Sequence, residues 1–142
     1  MILAFHAFER WMVRCMAAAG QPGLGPLDVL VLHAVNHRDR PKTLADLCLV
    51  LNVEDTHLVT YAVRKLEKAG LVRSGRKGKE KSVAITGKGA RACARYGEIR
   101  EELLVRTIRD LGLSEETLSH TAAHLRILSG HYGQAARAAA AL

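Results

Sequence analysis

Basic side chains are concentrated in one short part of this chain. Between Arg64 and Lys81 lie eight basic residues and two acidic ones, a surplus of six out of a formal net charge of +7 for all 142 residues. The rest of the chain is therefore close to neutral. A clustered surplus of this kind can neutralise the phosphates of a polyanion, whereas an evenly solvated surface would spread its charge. The cations of the cluster are Arg64, Lys65, Lys68, Arg73, Arg76, Lys77, Lys79 and Lys81.

The sequence offers little for catalysis. It contains no G-x-S-x-G nucleophile motif, no P-loop, no dinucleotide-binding glycine fingerprint and no H-E-x-x-H zinc motif. Gly75 and Gly78 belong to a basic hairpin tip, and Gly87 and Gly89 to a connection from a strand to a helix. We interpret both pairs as turn glycines rather than phosphate loops. We expect a protein that is not an enzyme and that carries no cofactor.

Two histidine pairs have a spacing that can serve metal binding. His33 and His37, and likewise His120 and His124, are four residues apart, which puts both side chains of a pair on one face of a helix. A structural zinc site usually needs four ligands, and the missing ones would have to come from elsewhere in the fold. We therefore expect no metal site.

The three cysteines, Cys15, Cys48 and Cys93, form no C-x-x-C pair. Their odd number argues against a disulfide framework and fits a reducing cytoplasm. All three lie among apolar neighbours, so we favour buried packing, and for Cys15 we favour it over oxidation sensing. No apolar run reaches the roughly 18 residues of a membrane span. Glu9 and Arg10 interrupt the apolar N-terminus, so we expect no signal peptide.

Hydrophobic periodicity predicts a mainly helical chain. An apolar seam from Phe5 to Ala19 predicts a first helix, and Pro26 stands where the first turn of a second helix would begin. A long pattern from Gly87 to about Leu111 predicts another helix. Ser114 is in position to cap a final helix near the C-terminus.

The middle of the chain has the pattern of two helices followed by a hairpin. Thr43 can cap a short helix, with Asp46 in the capping-box position. Asn52 can cap the next helix, which Gly70 ends. The two hairpin strands are predicted over residues 71–73 and 82–86. This order predicts a winged helix-turn-helix, and the fold class is mainly α with a small β-hairpin wing.

A helix-turn-helix places its second helix in the major groove of duplex DNA. Helical spacing sets five residues opposite the buried side of that helix: Thr56, His57, Thr60, Tyr61 and Arg64. The first four lie toward its N-terminus, so we assign them to base reading. The other expected DNA contacts, mostly to phosphates, are Lys42, Thr43, Arg64, Lys65, Lys68, Arg73, Arg76, Lys77, Lys79 and Lys81.

Three motifs give the chain a family resemblance. They are Val59-Thr60, Lys65–Val72 (KLEKAGLV) and Val83–Gly89 (VAITGKG). Together, at this spacing, they resemble the multiple-antibiotic-resistance regulator (MarR) family of bacterial winged-helix repressors. The resemblance implies a homodimer formed by the N- and C-terminal helices, a pseudo-palindromic operator, and release by small, often phenolic ligands or by thiol oxidation.

Two places depart from the family pattern. The family's wing usually carries Asp-x-Arg, with the arginine reaching into the minor groove, whereas the corresponding residues here are Lys77 and Lys79. Lysine lacks the planar fork of arginine, so we expect phosphate attraction to persist without the same groove contacts. Tyr61 stands where an arginine is common on the recognition helix. The operator sequence therefore does not transfer from the family.

The predicted organisation is an N-terminal dimerisation helix (1–24), a winged helix-turn-helix region (25–89) and C-terminal dimerisation helices (90–142). The terminal helices carry more apolar surface than a small winged-helix core can bury, so we expect a homodimer. We predict a sequence-specific regulator, of the repressor type, that binds double-stranded DNA and no membrane, with a small-molecule effector left open. Two alternatives use the same hairpin: a module that docks an acidic protein, and a non-specific architectural DNA binder.

Overall fold

The computed structural model of the protein describes residues 1–77 and 80–142. The chain divides into two compact units, Met1–Glu101 and Glu102–Leu142. Lys79, an expected DNA contact, and Gly78, which was assigned to the hairpin tip, lie outside the described residues.

The first unit has the element order of a winged helix-turn-helix. Its helices are α1 (Ile2–Ala18), α2 (Pro26–Asn36), α3 (Leu44–Leu51), α4 (Thr56–Lys68) and α5 (Gly87–Arg100). Its strands are β1 (Lys42–Thr43), β2 (Val72–Lys77) and β3 (Glu80–Ile85), and a 3₁₀ turn over His37–Asp39 follows α2. The predicted fold class, mainly α with a small β-hairpin wing, is confirmed.

The described strands form one antiparallel sheet in the order β1-β3-β2. Strands β2 and β3 pair from Val72 opposite Ile85 to Lys77 opposite Glu80. Both are longer than the sequence predicted, because cross-strand pairing extends through basic residues that had been assigned to the turn. The short β1, which pairs with β3 on its other side, was not predicted.

A single hydrophobic core holds the first unit together. Helix α2 packs against α1, α3, α4 and α5. The largest fully buried side chains come from successive parts of the chain: Met16, Leu32, Leu47, Leu66 and Leu71. Burial of each such side chain contributes about 1.5–3 kcal/mol relative to exposure. The core therefore fixes α4 against α2, and α4 is the helix whose outer face was assigned to DNA.

Two predicted helix starts in this unit are confirmed. Pro26 is in the first turn of α2. Thr43 caps α3 reciprocally with Asp46: the Thr43 hydroxyl accepts from the Asp46 amide at 3.1 Å, and the Thr43 amide donates to the Asp46 carboxylate at 2.9 Å. The amide groups of Thr43 and Asp46, which have no partner within the helix, are thereby hydrogen-bonded by side chains of the same turn.

The prediction for the start of α4 is wrong. Asn52 does not cap this helix; it ends α3 in the left-handed conformation, with φ of 52°. The N-cap is Asp55, whose carboxylate accepts from the His57 amide at 2.8 Å. Asparagine tolerates the left-handed region better than most residues, so the same side chain type can end one helix or begin another.

The helix predicted from Gly87 to about Leu111 is interrupted. Beyond α5, residues Glu101–Val105 form a π turn, which is followed by α6 (Arg106–Asp110). Gly112, with φ of +76°, then turns the chain as expected.

The last helix, α7 (Glu115–Ala139), starts where the sequence predicted. The Ser114 hydroxyl accepts from the Thr117 amide at 3.1 Å. No residue of α7 is buried in the single chain. Its exposed large apolar side chains are Leu118, Leu125, Ile127, Leu128 and Tyr132. Across residues 1–77 and 80–142, no helix combines the length and apolar character that crossing a bilayer requires.

Candidate nucleic-acid interface

Helix α4 separates a buried side from an outward one. Its inner face is formed by Val59, Ala62, Val63 and Leu66, all buried. Its outer face carries His57, Tyr61, Arg64 and Lys68, all exposed, with Tyr61 70% exposed. Helical spacing predicted the exposure of His57, Tyr61 and Arg64, and Lys68 continues the same face at a four-residue step, whereas Thr60 is half-buried.

The two threonines that we expect to read bases differ from each other in exposure. Thr56 is exposed in the first turn of α4, whereas Thr60 is half-buried. The Thr60 hydroxyl donates to the Thr56 carbonyl oxygen at 2.8 Å. Its proton is therefore committed to the backbone, and the oxygen remains as an acceptor.

The C-terminal end of α4 is held by residues that follow the hairpin. Gly70, with φ of +71°, takes the chain out of the helix. The Thr86 hydroxyl donates to the carbonyl oxygens of Gly70, at 2.7 Å, and Leu71, at 3.0 Å. The Lys88 ammonium donates to the Ala69 carbonyl oxygen at 2.7 Å. A cation at the negative end of the helix dipole is favourable, so Lys88 stabilises α4.

Gly89 allows this junction to close. Its amide donates to the Thr86 hydroxyl at 3.0 Å, which caps α5. A Cβ at this position would overlap the carbonyl oxygen of Leu71 and press on the Ile85 side chain. The interpretation of Gly89 as a turn glycine was therefore wrong: the residue lies in the first turn of α5, and close backbone approach requires it.

Lys65 forms an ion pair with a buried carboxylate of α2. Its ammonium lies 2.7 Å from Oδ2 of Asp28, whose side chain is 8% exposed. The same carboxylate oxygen accepts from the Gly25 amide at 2.7 Å, at the start of α2. The sequence marked Lys65 as a phosphate contact, and it gave no signal for this pairing because the partner lies far away along the chain.

The two expected contacts at the start of α3 are buried. Lys42 and Thr43 are each 8% exposed. The Lys42 ammonium donates to the carbonyl oxygens of His37, at 2.6 Å, and Arg40, at 2.8 Å. Thr43 caps α3, as described above. Both side chains support the loop before α3, so we leave them out of the DNA-contacting set proposed below.

The hairpin brings basic residues together across its strands. Arg76 in β2 lies directly opposite Lys81 in β3, so both side chains share one face of the sheet, and both are exposed. Arg73 is also exposed and lies an odd number of residues from Arg76, on the other face. Like charges directly opposite each other destabilise a hairpin unless an anion joins them. Lys77 belongs to the described backbone of β2.

A second cluster of polar side chains lies inside the first unit, where α1, α2 and α5 meet. The Cys15 thiol donates to the Tyr96 carbonyl oxygen at 3.6 Å, and the His33 ring packs edge-on against the Tyr96 ring with centroids 4.5 Å apart. Burial, reinforced by the charge of Arg100, lowers the pKa of His33. Among the described contacts, the buried Nε2 of His33 has no hydrogen-bond partner.

The cysteines behave largely as the sequence predicted. Cys15 and Cys93 are buried, and Cys48 is half-buried. Burial raises the pKa of the Cys15 thiol, and it raises that of Cys93 to about 11. Neither thiol is therefore activated as a nucleophile.

Within the ranges that the structure describes, no group of three or more His, Cys, Asp or Glu residues could hold a metal ion.

Comparisons with known proteins agree with this architecture. Residues 24–89 match the family model of a winged helix DNA-binding domain. No curated protein matches the chain. Among solved structures, the transcriptional regulator BldR from Sulfolobus solfataricus is 25% identical, with a TM-score of 0.64 over 90% of this chain and 91% of that one.

Two further structures extend the likeness. A MarR-family transcriptional regulator from Rhodococcus sp. RHA1 has a TM-score of 0.65 at 16% identity, over 88% of this chain and 86% of that one. MarR has the same TM-score at 16% identity, over 93% of each chain. The chain therefore carries a winged helix DNA-binding domain over residues 24–89 and has the fold of the MarR-type winged-helix regulators.

Proposed function

We propose that this protein is a homodimeric transcriptional regulator that binds a specific duplex DNA sequence and represses transcription by occluding it. The observation that carries the proposal is the outer face of α4, where a tyrosine, a histidine and two cations are exposed beside a hairpin with paired cations. A recognition helix needs groups for base edges and cations for the flanking phosphates.

The residues divide between these two tasks. We assign base reading to His57 and Tyr61 and, at the edge of the face, to Thr56 and the acceptor oxygen of Thr60. We assign phosphate contacts to the exposed cations of α4 and the hairpin. These are Arg64, Lys68, Arg73, Arg76 and Lys81, together with Lys77 and Lys79 on the strength of the sequence.

A second copy of the chain gives the terminal helices a place to bury their apolar side chains. Ile2, Leu3, Phe5 and Phe8 of α1 are each more than half exposed in the single chain. The apolar residues of α7 named above are also exposed. Patches of this extent on a single chain support an interface. A twofold axis would set two recognition helices about one helical turn, ~34 Å, apart along the DNA.

A groove along α1 supports the small-molecule effector. It has a volume of about 500 Å³ and is lined by Leu3, Val13 and Pro26, with His6, Glu9, Arg10 and Arg14 at its polar side. Apolar walls with a few charged groups suit a small molecule that carries an anionic group. A ligand there would change DNA affinity only if it favoured one arrangement of the dimer over another.

Selection of bound sequences from a random duplex library tests the proposal. The expected result is a palindromic site with half-sites about one helical turn apart. Weak, sequence-blind binding at physiological salt would contradict it and favour an architectural DNA binder or a module for an acidic protein. Sedimentation at micromolar concentration should show a dimer, and a monomer would contradict the homodimer.

Variants on α4 separate base reading from positioning. His57→Ala and Tyr61→Ala should change which sequence is selected, whereas Thr117→Ala on α7 is a control that should not. A uniform loss of affinity across all sequences would show that His57 and Tyr61 do not read bases. For repression, a selected site placed across a promoter should lower transcript yield in a purified transcription system. A raised yield would overturn the proposed sign.

A further inference from the structure

Asp28 is the feature that calls for an explanation. Its carboxylate is nearly enclosed, yet it lies on the flank of the recognition helix, close to a surface that must attract phosphates. One oxygen, Oδ2, receives both the Gly25 amide and the Lys65 ammonium, each at 2.7 Å. A buried carboxylate needs a charge partner and hydrogen bonds, because desolvation strongly disfavours an unpaired charge. Asp28 has both.

Lys65 is therefore bound inward rather than outward. Its side chain is 37% exposed and held by Asp28, whereas Lys68, about one helical turn further along α4, is exposed. If Lys65 turned to a phosphate, it would leave Asp28 with the Gly25 amide alone among its described partners. The two lysines have the same chemistry, and only one of them has an internal carboxylate.

We infer that Lys65 is a positioning residue, which works through Asp28 to set the rotation of α4 about its own axis, and that it is not a phosphate contact. The inference rests on the proposed function, since it assigns a role within DNA recognition. The pair ties the last turn of α4 to the first turn of α2, which the core holds in place. Rotation of α4 would carry His57 and Tyr61 away from the bases and would also break the pair.

The salt dependence of binding distinguishes the two roles of a lysine. A lysine that contacts a phosphate contributes about 0.9 to the slope of log affinity against log salt concentration. A positioning lysine contributes nothing to that slope, but it affects the ratio of affinities for selected and scrambled duplexes. We therefore expect Lys68→Met to flatten the slope by about 0.9 per lost contact and to leave the ratio unchanged.

Lys65→Met and Asp28→Asn should have the opposite effect. Each should leave the slope unchanged and lower the selected-to-scrambled ratio about tenfold, which corresponds to about 1.4 kcal/mol. Asp28→Asn is diagnostic, because removal of an anion near DNA should otherwise only strengthen binding. The double variant should be no worse than either single one, and Lys65→Arg should restore most of the ratio. A Lys65→Met variant with the slope of Lys68→Met would overturn the inference.

A measurement without DNA separates this inference from the proposed function. A double-mutant cycle on Asp28 and Lys65, followed by urea unfolding, should show coupling between the two residues. Absence of coupling would overturn the inference even if the protein selects a DNA sequence. If the cycle shows coupling but the wild-type protein shows no DNA sequence preference, both the proposed function and the positioning role are contradicted. The Asp28–Lys65 pair would then be only a structural ion pair.

Discussion

The junction between α4, the hairpin and α5 can be tested through a single hydrogen atom of Gly89. We expect Gly89→Ala to destabilise the protein, because the new Cβ would overlap the Leu71 carbonyl oxygen, which is backbone and cannot rotate away. That oxygen accepts from the Thr86 amide at 3.1 Å and from the Thr86 hydroxyl at 3.0 Å. A shift of Leu71 would therefore weaken both hydrogen bonds.

The size of the effect follows from these contacts. Overpacking costs about 1–3 kcal/mol, and each weakened hydrogen bond adds up to about 1 kcal/mol. We expect a loss of about 3 kcal/mol in the free energy of unfolding. For a chain of this size, that corresponds to a fall in Tm of about 6–12 °C.

Gly97, in the same helix, provides the matched control. Apart from the neighbouring backbone of α5 itself, nothing lies within 4 Å of the position that its Cβ would take. Gly97→Ala should therefore stabilise α5 by about 0.5–1 kcal/mol, because alanine loses less backbone entropy than glycine in a helix. Thermal and urea unfolding should be compared at one protein concentration, since dimerisation would make Tm concentration-dependent. A Tm for Gly89→Ala within about 2 °C of wild type would refute the close-approach argument.

Three further outcomes are expected. The lowered pKa keeps His33 neutral in the folded protein, whereas His33 of the unfolded chain becomes protonated below about pH 6.5. The free energy of unfolding should therefore fall between pH 7.5 and 5.5, and more steeply in wild type than in His33→Gln. Equal urea midpoints for the two proteins at every pH would contradict this. In native protein at pH 8, a thiol reagent should label Cys48 first and should reach Cys15 and Cys93 only after unfolding. A Cys48→Ser variant should lose the fast labelling phase. Rapid labelling of Cys15 would contradict its buried packing and favour a role in oxidation sensing. Arg76→Ala combined with Lys81→Ala should weaken binding to selected and scrambled duplexes alike and flatten the salt slope by up to about 1.8, and an unchanged slope would exclude the hairpin from phosphate contact.

The sequence was most informative where a residue acts on its own helix. The cap at Thr43 and the proline at the start of α2 depend on neighbours within a few positions, so their spacing predicts them. The outer face of α4 is equally local, because 3.6-residue periodicity alone divides it from the core. The motif VAITGKG can also be recognised in the sequence, but its structural role cannot be inferred from the residues alone. The structure shows this role, since Thr86 and Lys88 bind the carbonyl oxygens that end α4.

The sequence-based predictions are wrong or incomplete where two local patterns compete, or where the partner of a residue lies far away along the chain. Asn52 and Asp55 are both suitable N-caps, and the left-handed backbone at Asn52 decides between them only in the folded chain. The predicted hairpin is too short because lysine and glycine disfavour strands individually, whereas cross-strand hydrogen bonds stabilise the ladder as a whole. The Asp28–Lys65 pair joins residues from two helices, and no local pattern in the sequence reports such a contact.

The basic surplus between Arg64 and Lys81 therefore overstates the charge that the domain can offer to DNA. Lys65 is paired with the buried carboxylate of Asp28, and it could reach a phosphate only by breaking that pair. The cations of that segment differ in what holds them, although they look alike in sequence. A count of charges predicts that an anion binds, whereas the internal partner of Lys65 is the reason we propose a positioning role for it and phosphate contacts for the exposed cations.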